Sequence, residues 1–395
     1  MINRLTGTIQ PYPWGSTTSI PEFLGTEPTG GPQAELWLGT HPQGPSRLND
    51  DQGLAEFLAA APERRIGAEP VARFGPRLPY LMKVLAAARP LSLQAHPSRE
   101  QAEHGFARED AAGIARDAPN RTYRDDWPKP EALCALAPVQ ALCGFREPEL
   151  TYAMFERLEV PAALELVAPL ADGGPEALAE VFGRLLRLPE DRRGVIDDVV
   201  SSALDRQGRR LDEFGATAVE VATHYPGDPG VLAALLMNRV SYGPYQAIFL
   251  PAGNLHAYLS GTGVEIMANS DNVLRGGLTG KYIDVDELIK LLDFTPGMPG
   301  LVPIDEPSPG VFHYRTPAPE FGLWRLEPDG ATLPLPAPGT GRVLLAAAGT
   351  IMVSAAGADL TLSRGQAAFV PAEIDDAELS GAGVAFVGGP GLSGH

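Results

Sequence analysis

The sequence predicts a mainly β protein with an α-helical segment set into it. Three observations carry this reading. First, 44 Gly and 39 Pro make up about one residue in five of the 395, against roughly one in eight in average usage. Both residues are poor inside helices, which excludes a coiled coil or a mostly helical protein and favours many turns between short strands. Second, strand-length apolar runs alternate with Gly- and Pro-rich turns, most clearly after about residue 310 in VLLAAA, TIMVSA, QAAFVPA and GVAFVGG. That spacing suits a sandwich or barrel. Third, between about residues 149 and 240 the apolar period becomes helical. A hydrophobic share of 44% is enough for sizeable cores and excludes disorder, and the length predicts two or three domains.

Taken in order, residues 1–50 are turn-rich with short apolar pieces such as Leu36-Trp37-Leu38. Two apolar stretches follow, separated by Arg89-Pro90. In the second, Leu91 to His96 alternates with period two, the pattern of a half-buried strand carrying Ser92, Gln94 and His96 on one face. In the helical stretch, Leu178, Val181, Phe182, Leu185 and Leu186 lie on one helix face, as do Ile196, Val199, Val200 and Ala203. Asp228-Pro229 reads as an N-cap followed by Pro at the first helical position, opening a helix through VLAALLMNRV. Strands resume at Gln246 to Leu250 and, after the turn Pro251-Ala252-Gly253-Asn254, at His256 to Leu259. No fixed-period repeat or low-complexity tract is present.

The net charge of −18 argues against nucleic acid and anionic membranes as partners, and means that an anionic small substrate needs a local basic patch. Two Cys, Cys134 and Cys143, in an apolar stretch read as free core thiols of a cytoplasmic protein. The first residues, MINRLTGTIQPYPWGS, hold no apolar stretch typical of a signal peptide. The longest uncharged run, Val343 to Ala358, is too short and broken to span a bilayer.

Four motifs carry chemistry. In Gln94-Ala95-His96, residues two apart on a strand lie about 6.6 Å from one another on one face and can converge on a metal ion, although a polar strand face meeting water is the commoner use. His256, just after a turn, suits a ligand at a barrel mouth, and Glu265 is placed to share its cavity. In Trp127-Pro128-Lys129-Pro130-Glu131, two prolines fix the backbone around Lys129 and Glu131 offers a hard oxygen donor; a solvated charge pair is the bland alternative. The block Glu265 to Lys281 mixes acids, amides and two cations around Gly276-Gly277 and is too polar for a core strand. It suits a sugar or phosphate, with amides for hydroxyls and Arg275 and Lys281 for an anion. A P-loop fails here, since Arg275 stands where its first Gly belongs and Tyr282 follows the Lys. Gly261-Thr262-Gly263 lacks a third Gly, and GxSxG, HExxH and CxxC are absent.

In order along the chain stand Trp14-Gly15-Ser16, Ala34-Glu35-Leu36-Trp37-Leu38-Gly39, Pro79 to Leu85, Pro90 to Pro97, Lys129-Pro130-Glu131, Gly253 to Leu259, and Glu265 to Asp284. This combination, over essentially the first 295 residues, resembles the type I mannose-6-phosphate isomerase (phosphomannose isomerase) family. The resemblance implies cupin-type jelly-roll domains with an inserted α-helical domain. Residues 1–148 and 241–309 would form the catalytic jelly-roll region, 149–240 the helical insertion and 310–395 a C-terminal jelly-roll-like β domain. That last part, with His313 isolated and His395 terminal, reads as a packing domain.

The resemblance also implies one zinc ion per chain on Gln94, His96, Glu131 and His256, a nitrogen–oxygen donor set that suits zinc and that cobalt or manganese also accept. The implied reaction interconverts D-mannose 6-phosphate and D-fructose 6-phosphate by proton transfer through a cis-enediol. Arg275 matches the catalytic arginine, and Ser92, Lys129 and Lys281 match the phosphate end. Lys83, Trp14, Glu35, Asp271 and Tyr258 match other pocket positions. The general base is left open between Lys129, Glu265 and a zinc-bound water. Two positions depart from the family pattern: Trp127-Pro128 replaces Asn-His before Lys-Pro-Glu, and Gly280 stands in place of Pro between Thr279 and Lys281. An isomerase of another aldose phosphate or free sugar, or a non-catalytic cupin that binds a sugar phosphate, are the alternatives. The latter is disfavoured because all four ligand positions and Arg275 occur together. The expected partner is a small sugar phosphate, with neither nucleic acid nor membrane, and the chain is expected to act as a monomer.

Overall fold

Alternation along the strand Tyr80–Ala87 organises the molecule, whose computed structural model describes residues 1–49, 51–205, 213–355 and 357–392. All eight of its residues are buried. Tyr80, Met82, Val84 and Ala86 face one way and join Val264, Ile266, Val343, Leu345, Phe369 and Phe386 in one core. Leu85 and Ala87 face the other way and pack with Leu133, Val139, Cys143 and Tyr258. Lys83 shares that second face, so this one cation interrupts an otherwise apolar strand.

Two antiparallel sheets of ten strands result. In the first, Ala247–Leu250, Glu131–Ala135, His256–Ala268, Tyr80–Ala87, Glu35–Leu38 and Thr8–Gln10 lie side by side. The long strand His256–Ala268 is shared between two layers. Its start pairs with Gln94 and with Val139–Phe145, and its remainder pairs with Tyr80–Ala87 and Glu131–Ala135. It bends at Gly261, where φ is +119° and a Cβ would meet the Pro138 carbonyl oxygen at 2.5 Å, so only Gly fits the turn between layers. This is the curl of a cupin-type jelly roll, with the site between its layers.

The second sheet holds Ile304–Ser308, Val311–Tyr314, Gly322–Leu326, Glu378–Gly389, Arg342–Ala355 and Ala367–Val370. It also takes in Asn3–Thr6 and Arg47–Leu48 from the beginning of the chain. Segment 1–148 is therefore divided between the two sheets, a partition that four- and two-residue strands do not reveal in the sequence.

Helices fill the chain between the strands Val139–Phe145 and Met237–Tyr242. Gly174–Leu186 buries Leu178, Val181, Phe182 and Leu185, and Gly194–Asp205 buries Ile196, Val199 and Ala203, the faces read from the spacing. Each such Leu, Ile, Val or Phe side chain contributes roughly 1.5–3 kcal/mol when taken from water. The helix expected through VLAALLMNRV is cut short: it spans Gly230–Ala234, and Met237–Tyr242 is a strand instead. Pairing with Val139–Phe145 outweighs helical propensity there. The strand expected over Leu91 to His96 narrows to Gln94–Ala95. Residues 206–212 of the expected helical segment, and His395, lie outside the described residues. Among those residues no helix is long and apolar enough to cross a membrane.

Candidate active site and metal centre

Three neighbouring strands place the first group of candidates. Gln94 pairs with His256 on one side and with Arg275 on the other, so these three side chains share one face. From the opposite layer, Glu131 begins its strand directly after Pro128-Lys129-Pro130. His96, Glu131 and His256 are all buried, and their donor atoms lie within 4.8 Å of one another. Glu131 Oε2 is 3.3 Å from His96 Nε2 and 3.5 Å from His256 Nε2.

The remaining ring nitrogens are committed elsewhere. His96 Nδ1 is 2.8 Å from the Asn272 carbonyl oxygen and His256 Nδ1 is 3.2 Å from that of Asn254. Each Nδ1–H then donates, and both Nε2 lone pairs are free to ligate. His96 Nε2 is buried without a hydrogen-bond partner, the mark expected of an atom meant for a ligand. Burial drives the His96 imidazole down to about 4 against the pull of Glu131, which keeps it neutral. Burial pushes the Glu131 carboxyl up, but His96, Lys129 and the close approach of both imidazoles hold it well below the usual carboxylate range. Two imidazoles and one carboxylate fit zinc. Gln94 is the adjacent residue able to supply an amide oxygen.

A second row runs across the sheet. Glu265 stands opposite Lys83, which stands opposite Trp37. Lys83 Nζ lies 3.0 Å from Glu265 Oε2 and 3.5 Å from Glu35 Oε2, while the Tyr258 hydroxyl donates to Glu265 Oε1 at 3.1 Å. Burial alone would lower the Lys83 pKa, but Glu35, Glu265 and Glu131 outweigh it and raise it. Burial first, then the charges of Glu131 and Glu35, raise the Glu265 pKa against Lys83. The block beginning at Glu265 is thus not wholly loop: residues 265–268 end a buried core strand, and the ion pair is what permits a carboxylate there.

Above these groups lies a cavity of about 600 Å³. Trp14, Glu35, Lys83, Ser92, Gln94, Lys129, Asp271, Arg275 and Lys281 line it. His96, Glu131, His256, Glu265 and Tyr258 do not line it but stand behind residues that do, with Lys129 Nζ 2.9 Å from Glu131 Oε1. Arg275 has its pKa lowered by burial and by Arg124, and Lys281 by burial, Arg275 and Arg124.

Several working residues escaped the sequence reading. His41 Nε2 lies 3.2 Å from Asp271 Oδ1 at the cavity wall; a lone His in a turn-rich stretch carries no signal for this. Arg124 lines the cavity beside Arg275. Asn272, read as an amide for sugar hydroxyls, is fully buried and instead braces the loop. Its side chain donates to the carbonyls of Asp125 and Trp127 at 2.8 Å each and accepts from the Arg124 N–H at 2.8 Å. Asp125 in turn accepts from Ser270 and from the Asp271 N–H, both at 2.7 Å. The departing residue Trp127 is buried under the Arg77 guanidinium, 3.6 Å from its ring, and does not line the cavity. At the other departure, a Cβ on Gly280 would meet open space, so glycine is not sterically required.

The phosphomannose isomerase type I catalytic-domain family matches residues 2–148. The mannose-6-phosphate isomerase of Escherichia coli is 40% identical over 299 residues, covering 74% of this chain and 75% of that protein. The human mannose-6-phosphate isomerase is 30% identical over 382 residues, covering 89% of this chain and 88% of that protein. A crystal structure of the Salmonella typhimurium enzyme bound to fructose 6-phosphate and zinc superposes with a TM-score of 0.91 at 32% identity, covering 99% of this chain and 100% of the other.

Proposed function

The chain belongs to the type I phosphomannose isomerase family, and from that premise we infer that it is a zinc-dependent isomerase interconverting D-mannose 6-phosphate and D-fructose 6-phosphate. The observation that carries the reading is the buried His96–Glu131–His256 cluster beneath a cavity edged by Arg275 and Lys281.

His96, Glu131 and His256, with Gln94 as the fourth donor, hold the ion. Bound zinc supplies positive charge to the substrate oxygen that turns negative as the cis-enediol forms. Arg275, which has no ion-pair partner among the described residues, adds a second positive charge toward the same cavity. Of the two side chains among the three candidate bases, Lys129 is the one that lines the cavity, so it is placed to carry the proton between C2 and C1. Glu265 has both oxygens engaged, by Lys83 and Tyr258, and acts by holding Lys83 in position. With Lys129 held at Glu131, Ser92 and Lys281 remain for the phosphate, and Trp14, Glu35 and Asp271 for the sugar body.

We also place the protein in the cytoplasm as a monomer; the unbridged, buried thiols of Cys134 and Cys143 support the compartment. A coupled assay comparing mannose 6-phosphate with other aldose 6-phosphates and with free mannose tests the reading. Turnover is expected for mannose 6-phosphate above the rest. Preference for another aldose phosphate, or for free mannose, contradicts it.

A further inference from the structure

The cations of the cavity fall into two sets. Lys83 is neutralised by Glu35 and Glu265, and Lys129 by Glu131. Arg124, Arg275 and Lys281 have no ion pair among the described residues, yet they gather where the substrate cavity meets a side chamber of about 370 Å³, and all three line both spaces. Like charges brought together repel, and here burial and that mutual repulsion lower the affinity of Arg275 and Lys281 for their protons. Among the described residues no acid lies within ion-pair distance of these three. Asp271 is taken by His41, and the Asp284 carboxylate accepts from the Glu287 N–H at a helix start. Arg121, the fourth cation at this junction, is spent on Glu109 and Asp110.

Three unpaired cations at one junction suit an anion that carries about −1.5 to −2, the charge of a phosphomonoester. Arg124 is also held in place for the task. Its backbone N–H donates to Asn272 Oδ1 at 2.8 Å, and Asn272 lies on the segment that leads into Arg275. We propose that Arg124 is a phosphate-binding residue that completes, with Arg275 and Lys281, a three-cation cradle for the substrate phosphate. This rests on the isomerase reading above and adds a residue that the sequence reading did not assign.

The test is steady-state kinetics on the zinc-loaded protein, with inorganic phosphate as a competitive probe, for the parent chain, Arg124→Ala and Arg124→Lys. A charge-assisted contact to phosphate predicts that Arg124→Ala raises KM for mannose 6-phosphate about tenfold to a hundredfold. The inhibition constant of inorganic phosphate rises in step, while kcat stays within about threefold. Arg124→Lys recovers much of the loss because it keeps the charge without the planar fork. The Arg124 side chain is exposed, so the fold is not at stake in these variants. Unchanged KM and unchanged phosphate inhibition in Arg124→Ala overturn the proposal, as does a fall in kcat with both constants unmoved. A parent chain without isomerase activity would overturn the functional reading, while weaker phosphate binding by Arg124→Ala in calorimetry would still uphold the anion site.

Discussion

The Asn272 carbonyl oxygen lies 2.8 Å from His96 Nδ1, while the side chain of the same Asn272 braces the loop that carries Arg124 and Trp127. One buried amide residue therefore orients a metal ligand and braces the segment leading to Lys129. Replacing Asn272 with Ala strands the Asp125 carbonyl and the Arg124 N–H and leaves the Trp127 carbonyl with the Ser270 hydroxyl alone. It is expected to lower unfolding stability by about 1–3 kcal/mol; the backbone carbonyl that orients His96 is kept, so zinc affinity is expected to fall by less than about tenfold, through the loosened loop alone. Denaturant titration and zinc competition against a chromogenic chelator measure the two effects separately. A fall in zinc affinity of about a hundredfold or more would show that the side chain, and not the backbone carbonyl, does the orienting.

Lys83 sits between two buried carboxylates. Lys83→Met leaves Glu35 and Glu265 without their cation and is expected to destabilise the fold by about 3–5 kcal/mol. Adding Glu265→Gln to that variant removes part of the uncompensated charge and is expected to restore part of the loss. The double-mutant cycle checks this; strictly additive effects would show that the two groups do not couple.

Burial would raise the Asp271 pKa, but the hydrogen bond and charge of His41 prevail and lower it from its ordinary 3.8. A depressed carboxylate contributes stability that is present above its unfolded pKa and lost as pH falls through its folded pKa. The melting-temperature gap between the parent chain and Asp271→Asn is therefore expected at neutral pH and to close as pH drops below about 4. A gap that widens on acidification would reverse the assignment.

Arg275 faces the cavity without an ion-pair partner among the described residues, and its charge matters most where negative charge develops. Arg275→Ala is expected to lower kcat about a hundredfold or more. Some rise in KM accompanies it through the shared phosphate cradle. An unchanged kcat would remove Arg275 from the catalytic set.

The parts of the site that the sequence revealed are those where local pattern and chemistry coincide. Gln94 and His96 sit two apart on an extended segment, and Lys129 stands between prolines just before Glu131, whereas Lys83 is legible only through the family resemblance. What stayed hidden depends on contacts distant in sequence. His41 meets Asp271 only because the first and third quarters of the chain fold against one cavity. Asn272 looked like a sugar ligand because composition does not tell a buried amide from an exposed one. The helix read through VLAALLMNRV failed for the same reason: its second half finds a strand partner almost a hundred residues earlier, at Val139–Phe145.

The central claim is that His96, Glu131 and His256 hold a zinc ion required for isomerisation. The most direct measurement removes the metal with a chelator, assays conversion of mannose 6-phosphate, and then titrates zinc back while its stoichiometry is counted. The account predicts that activity disappears with the metal and returns in proportion to zinc up to one ion per chain. It also predicts that Glu131→Ala neither retains the ion nor recovers. Full activity in the metal-free protein would contradict it.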